Sequence, residues 1–472
     1  MSITTAITRR LAQVNLRYLP FADAASPDLP MSRLLRLSLF QISVGMATVL
    51  LIGTLNRVMI VELGMSAWIV SAMVALPFLF APFRALVGFK SDTHRSAFGW
   101  RRVPYIWLGT MLQFGGLAIM PFALLVMSGD GVGSPVYGEI GAALAFLLVG
   151  TGLHTTQTAG LALATDLAQP RTRPRVVALM YVMLMTGMIV SGIAFGVILA
   201  EFSPVKLIQV IQGAALVTVA LNVVALWKQE ARRATQRGAP PVGFARAWSE
   251  FAGNARAKRF LVMVGLGTLA FNMQDIVLEP YGGQILHLTV GETTMLTALL
   301  AGGALAAFAL AGRVLLTGFD PYRLAACGLA AGLVAFPAVI FAGALTSPLL
   351  FRAGTVLIGF GAGLFAVSTL IAAMELETSR MTGLALGAWG AMQASAAGIG
   401  IALGGAIRDI VVWLTARGSL GPVFADPAVP YSVVYHLEIA GIFATLIALG
   451  PLVRTRTPVA TSSSLGLADM PN

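Results

Sequence analysis

KQEARRATQRGAPPVGFARAWSEFAGNARAKR, residues 228–259, is a long polar stretch between apolar ones, and its reading decides the fold. Pro240, Pro241 and eight basic residues keep it out of a bilayer, so it reads as a linker lying against an anionic membrane surface. Outward from it run apolar stretches of the ~20 residues that a spanning helix needs. Before the linker they begin near Leu37, Ala67, Val103, Tyr137, Val176 and Pro204; after it, near Phe260, Thr293, Leu324, Leu349, Thr382 and Ser432. The expectation is an all-α membrane protein of twelve spans: a tail (1–36), a six-helix half (37–227), the linker (228–259), a second six-helix half (260–453) and a closing tail (454–472).

Composition agrees. Of the 472 residues, 57% are hydrophobic and 11% charged, where soluble domains average about 45–50% and about 25%. The fifty-one glycines and twenty-three prolines suit spans whose neighbours satisfy the freed backbone groups. A net charge of +11 would suit a nucleic-acid binder only if it were gathered on a solvated domain. Here the basic residues are scattered through short loops, so no nucleic acid is expected. Cys327 is the one cysteine, which excludes an intramolecular disulfide. No cleavable signal peptide is expected, because the first thirty residues carry Arg9, Arg10 and Arg17 and lack an apolar core ending in a small-residue site.

With an even number of spans, the linker and both tails share one side. That side holds all 31 lysines and arginines except Arg57, Lys206, Arg352, Arg408 and Arg417. The positive-inside rule makes it cytoplasmic. In the first tail Ile3, Ile7, Leu11 and Val14 recur at helical spacing between arginines, which suits a helix on the membrane surface and an unstructured tail equally.

The halves repeat each other. Gly150, Gly152, Leu153, Asp166 and Gly187 recur as Gly361, Gly363, Leu364, Glu377 and Gly398, all at one offset, and VGMATV from Val44 matches VGLGTL from Val264. Six-helix halves in parallel repeat are the arrangement of the major facilitator fold, which puts a binding site near the midplane between the halves. The stretch GFKSDTHRSAFGWRR, Gly88 to Arg102, resembles the signature loop of that superfamily, whose charge network latches the two halves on the cytoplasmic side. Gly88, Asp92, Arg101 and Arg102 match, with a longer gap than usual between the acid and the basic pair, so the latch role is expected of Asp92 first; a solvated loop is the alternative. Asp166 and Glu377 end the fourth and tenth spans and precede Arg171 to Arg175 and Arg380, so each is expected to pair locally.

RYLPFADAASPDLP (17–30), RLLRLSLFQISVGMA (33–47), GTLNRVMIVELG (53–64), KSDTHRSAFGWRRVPYIW (90–107), GLHTTQTAGLALATDLA (152–168) and MQDIVLEPYGG (273–283) together resemble the PucC family. This is the bacteriochlorophyll delivery branch of the superfamily in phototrophic bacteria. The resemblance implies a photosynthetic inner-membrane protein that assembles light-harvesting antenna complexes. Its cargo would be bacteriochlorophyll or a late precursor, and its partners antenna polypeptides, with bacteriochlorophyll synthase, the reaction centre, the insertion machinery and membrane lipid as further neighbours. Core or peripheral antenna is left open.

Two constellations can be read from the residues. In the seventh span Asn272, Asp275 and Glu279 stand at i, i+3 and i+7, one helix face. A carboxylate within a span faces a partner, a cavity or a pathway, and the repeat puts Arg57 at similar depth in the first span. An ion pair between the halves would serve as a static clamp or as a gate with proton coupling. In the fourth span Thr151, His154 and Thr158 form a polar stripe with Gln157 beside it. No other histidine lies so deep, and a neutral imidazole suits either the axial position of a pigment magnesium or a bond to a neighbouring helix. Gly150, Gly152 and Gly160 suit a flat macrocycle or close helix packing equally. Walker loops, metal-ligand clusters and hydrolase nucleophiles with a base are not found, so no enzyme is expected. A proton-coupled transporter of a small solute and a pigment-free scaffold for antenna helices stand as alternatives.

Overall fold

The computed structural model describes residues 29–79, 100–129, 134–169, 172–230, 253–316, 318–375, 382–418, 421 and 424–453. Among them the chain forms twelve helices and no strand. The first half holds α1 (Met31–Glu62), α2 (Ala67–Leu79), α3 (Val103–Met127), α4 (Pro135–Leu167), α5 (Arg173–Ile198) and α6 (Pro204–Leu226). The second holds α7 (Ala255–Gln284), α8 (Val290–Leu316), α9 (Pro321–Ala344), α10 (Pro348–Glu375), α11 (Thr382–Ala416) and α12 (Val429–Leu449). Eleven are long and apolar enough to cross a membrane; the described part of α2 is shorter. α1 and α7 begin earlier than their apolar runs do, which takes residues from the expected tail and linker. The latch residues Gly88, Asp92 and Glu377, the first tail's apolar spacing and most of the linker lie outside the described residues.

Helix starts follow local chemistry. Proline opens α4, α6, α9 and α10, where its missing N–H is no loss. Ser203 Oγ accepts from the Lys206 N–H, Asp320 from Tyr322, and Asn254 Oδ1 from Arg256 and Ala257, which satisfies donors that a helix start leaves open. Outward faces stay apolar, with Phe122, Leu216, Val334 and Ile447 exposed as lipid-facing residues. Trp68, Trp107, Trp227 and Trp413 are exposed near helix ends, where a membrane interface favours them.

Within the halves the closest pairs are α3 with α4 and α9 with α10, which are repeat equivalents. Between the halves α2 packs on α11 and α5 on α8. Away from the linker, on what we term the far side, this seam is built backbone to backbone. A Cβ on Gly405 would collide with Ser71 and the Ala67 carbonyl, and one on Gly291 with Gly196 and Ala200. Thr54 and Thr294 hydroxyls meet across the seam at 3.3 Å.

The first helix of each half is irregular at matching depth. α1 runs as π-helix over Val49–Leu55 and again over Val58–Glu62. α7 changes to a 3-10 turn over Met273–Ile276 before resuming at Leu278. The carbonyls of Asp275 and Ile276 at this break accept hydrogen bonds from Asn56 Nδ2 of α1, both at 3.2 Å.

Candidate functional site: an inter-half cavity

Between the halves lies a cavity of about 640 Å³, walled by α1, α2, α4 and α5 on one side and α7 and α11 on the other. The volume falls within the ~300–1,000 Å³ of ordinary ligand sites. His154, Gln157 and Thr158 line its α4 wall, and Asn272 lines it from the second half. Thr151 is not among the lining residues. The neighbouring Thr155 and Thr156 turn away into the half, where Gln113 Nε2 donates to Thr156 Oγ1 at 3.1 Å. The four α4 and α7 groups named from the sequence are thus brought together from two halves by the fold.

The His154 ring stands edge-on to Phe78 of α2, centroids 5.5 Å apart. Tyr181 and Trp389 add aromatic surface and Gln393 adds an amide, none of them singled out from the sequence. Trp389 is held in place: its Nε1–H donates to Thr369 Oγ1 at 3.1 Å, and Thr369 is anchored to the Phe365 carbonyl at 2.9 Å. Aromatic residues in an apolar chain carry no positional signal, so sequence patterns could not have picked these. Of the small residues of α4, Gly152 and Gly160 serve helix packing and Gly150 does so at the edge of the cavity. Gly150 abuts Pro77 and also lines the cavity, while Gly152 abuts the Gly109 carbonyl and Gly160 abuts the Phe40 ring.

The expected single face on α7 does not form. Asn272 Nδ2 bonds back to the Thr268 carbonyl at 2.6 Å beside the cavity, and the 3-10 turn then rotates the acids off that face. Glu279 is 1% exposed and accepts from Thr297 Oγ1 at 3.1 Å; Asp275 accepts from Gln274. Nor do the acids pair with Arg57. Its guanidinium meets Glu62 and reaches the Leu288 carbonyl of the other half at 3.3 Å. The reason is local: π-helical winding stacks residues five apart, and Glu62 is five residues on. An offset between repeats gives depth in the membrane but not direction around the helix. Arg57 therefore does touch the second half, through a backbone carbonyl.

On the linker side, Arg102 Nε donates to Asp166 Oδ2 at 3.1 Å and Arg101 approaches the same oxygen at 3.7 Å. Asp166 thus pairs with the basic residues that begin α3, because antiparallel packing sets the start of α3 beside the end of α4; Arg171 and the Arg173 side chain lie outside the described residues. The pair joins two helices of one half. Glu230, just past α6, accepts the backbone N–H groups of Arg101, Arg102 and Val103 at 2.8 to 3.2 Å. It closes the amino end of α3, where a negative charge suits the helix dipole. Sequence reading missed this role and that of Glu438, an acid buried inside α12. Its position within an apolar span was the available signal.

Comparison with known proteins completes the description. A family profile described as PUCC protein matches residues 54–457. Protein PucC of Rhodovulum sulfidophilum is 59% identical over 410 residues, 85% of this chain and 90% of that one. An uncharacterized protein of the puhA-bchM intergenic region of Rhodobacter capsulatus is 52% identical over 472 residues, 98% and 99% of the two chains. Among solved structures, a mutant of the nucleoside transporter NupG superposes with a TM-score of 0.67 over 89% of this chain and 100% of that one. At 14% identity that likeness speaks for the fold alone, which is the major facilitator fold.

Proposed function

The chain belongs to the PUCC family, and from that premise we propose that it helps assemble light-harvesting complexes by holding bacteriochlorophyll, or a late precursor, in the inter-half cavity and passing it to antenna polypeptides. Family and fold are non-enzymatic, so the work is binding and release. The observation that carries the reading is the cavity itself: His154, Gln157, Thr158, Asn272 and Gln393 are its convergent polar groups in a mostly apolar, aromatic wall. A pigment of this class has a magnesium that accepts an axial base, carbonyl groups around the ring and a large apolar body. His154 would supply the base, the amides and Thr158 would meet ring carbonyls, and Phe78, Tyr181 and Trp389 would cover the ring faces. The linker side is cytoplasmic in this reading, by the bias of basic residues.

The test is purification of the tagged full chain from a phototrophic host in mild detergent. Bound pigment appears as near-infrared absorbance co-eluting with the protein, and antenna polypeptides appear in the same fraction. A protein free of pigment that still captures antenna polypeptides would be a scaffold. One free of both would be a transporter of another solute.

A further inference from the structure

Three carboxyl groups of the second half have no cation paired with them among the described residues. Glu279 on α7 is 1% exposed and Glu438 on α12 is 0% exposed, and Asp275, partly exposed, occupies the break in α7. Asp275 lies within electrostatic reach of both glutamates. One oxygen of Glu279 and both oxygens of Glu438 accept no hydrogen bond of ordinary geometry; the Gln274 backbone approaches Glu438 without completing one. The Tyr435 hydroxyl, also buried and without a partner, lies within electrostatic reach of both glutamates.

The charged and titratable groups on the surrounding elements are already committed. Arg57 of α1 pairs with Glu62, Arg352 of α10 with Glu292 of α8 at 2.9 Å, and Arg408 of α11 with Asp409 at 2.7 Å. Arg408 also donates to Gln284 and to Tyr431, whose ring lies edge-on to Tyr281. Among the described residues no lysine, arginine or histidine forms an ion pair with any of the three acids. An ionised carboxylate left alone in such a setting is among the costliest arrangements a protein can hold. A shared metal cation would relieve it, but no three acids, histidines or cysteines among the described residues converge to hold one. A proton on each acid relieves it without convergence.

We propose that Asp275, Glu279 and Glu438 form a proton-binding cluster that is loaded while the far-side seam is closed and unloaded when the halves part there. The seam reaches the cluster directly. Gly53 of α1 is close enough to Glu279 that a methyl group there would stand 3.7 Å from its Oε1, and Asn56 holds the carbonyls of the α7 break. Withdrawal of α1 exposes the cluster to water, and each acid then gives one proton to the far-side solvent. The reading is independent of what occupies the cavity.

Infrared spectroscopy of the purified full chain tests both parts. At neutral pH the protein should show a protonated carboxylic-acid carbonyl band, and Asp275→Asn, Glu279→Gln and Glu438→Gln should each remove part of it. These replacements imitate the protonated acid, so the variants should fold; failure of all three to fold would mean that the charged forms are required and would overturn the cluster. So would absence of the band, or its persistence in all three variants. For the coupling, cysteines at Thr54 and Thr294 in a Cys327→Ala background allow the seam to be locked by a disulfide. The locked protein should keep the band to higher pH than the same protein reduced. Identical titrations of the locked and reduced forms would sink the coupling.

Discussion

His154, Gln157 and Thr158 share one stretch of α4 and one wall of the cavity, so removing the imidazole alone separates ligation from packing. His154→Phe should leave a stable protein, because Phe365 already fills the equivalent place in the second half, buried against Phe271. Pigment per purified molecule should fall. If protein level and antenna level drop together with pigment per molecule unchanged, the histidine is a packing residue. Arg57 makes a second residue-scale prediction. Removing it leaves Glu62 half in water and the Leu288 carbonyl without its donor, a loss of about 1–2 kcal/mol in stability. A double-mutant cycle with Glu62 should return a coupling energy of about 1 kcal/mol, and cycles with Asp275 or Glu279 should return nearly none. A larger coupling to either α7 acid would restore the inter-half pair that the sequence suggests. That pair was misread because side-chain direction depends on winding, and neither the π-helix of α1 nor the 3-10 turn of α7 announces itself in residue type.

Among the helices, glycine carries two unlike roles that composition alone does not distinguish. Gly405 sits against the Ser71 side chain and the Ala67 carbonyl across the seam, whereas Gly302 on α8 has open space where a side chain would go. Gly405→Ala should cost about 1–3 kcal/mol as an overpacked contact. Gly302→Ala should be neutral or stabilise by up to about 1 kcal/mol, since glycine is a poor helix former. Thermal melting of the two purified variants checks the pair, and equal effects would contradict the seam. What could be read at this scale was periodic: helix positions followed from apolar length, and the repeat of Gly152 and Leu153 as Gly363 and Leu364 foretold matching positions in α4 and α10. What could not be read was which partner each glycine met, because a missing side chain fits any close approach.

For the whole molecule, the orientation in the membrane follows from the distribution of charge. A reporter fused after Gly253 should read cytoplasmic, and one fused after Asp426, at the other end of α12's approach, should read extracytoplasmic. The reverse result would turn the protein over and place the far-side seam toward the cytoplasm. The two-half plan was legible because the linker and the repeat are both written in composition, while the cavity required two helices from different halves to meet.

The paired irregularities of α1 and α7 have a mechanical consequence. Each is two short rods meeting at a joint, and the joints lie at matching depth and touch, one in each half, where Asn56 meets the carbonyls of Asp275 and Ile276. A bending moment applied at the linker end is absorbed at those joints instead of being carried to the other end as it would be by a straight rod. The cavity wall that α1 and α7 contribute, near Thr48 and Asn272, can therefore give while the contacts between Gly405 and Ser71 hold still.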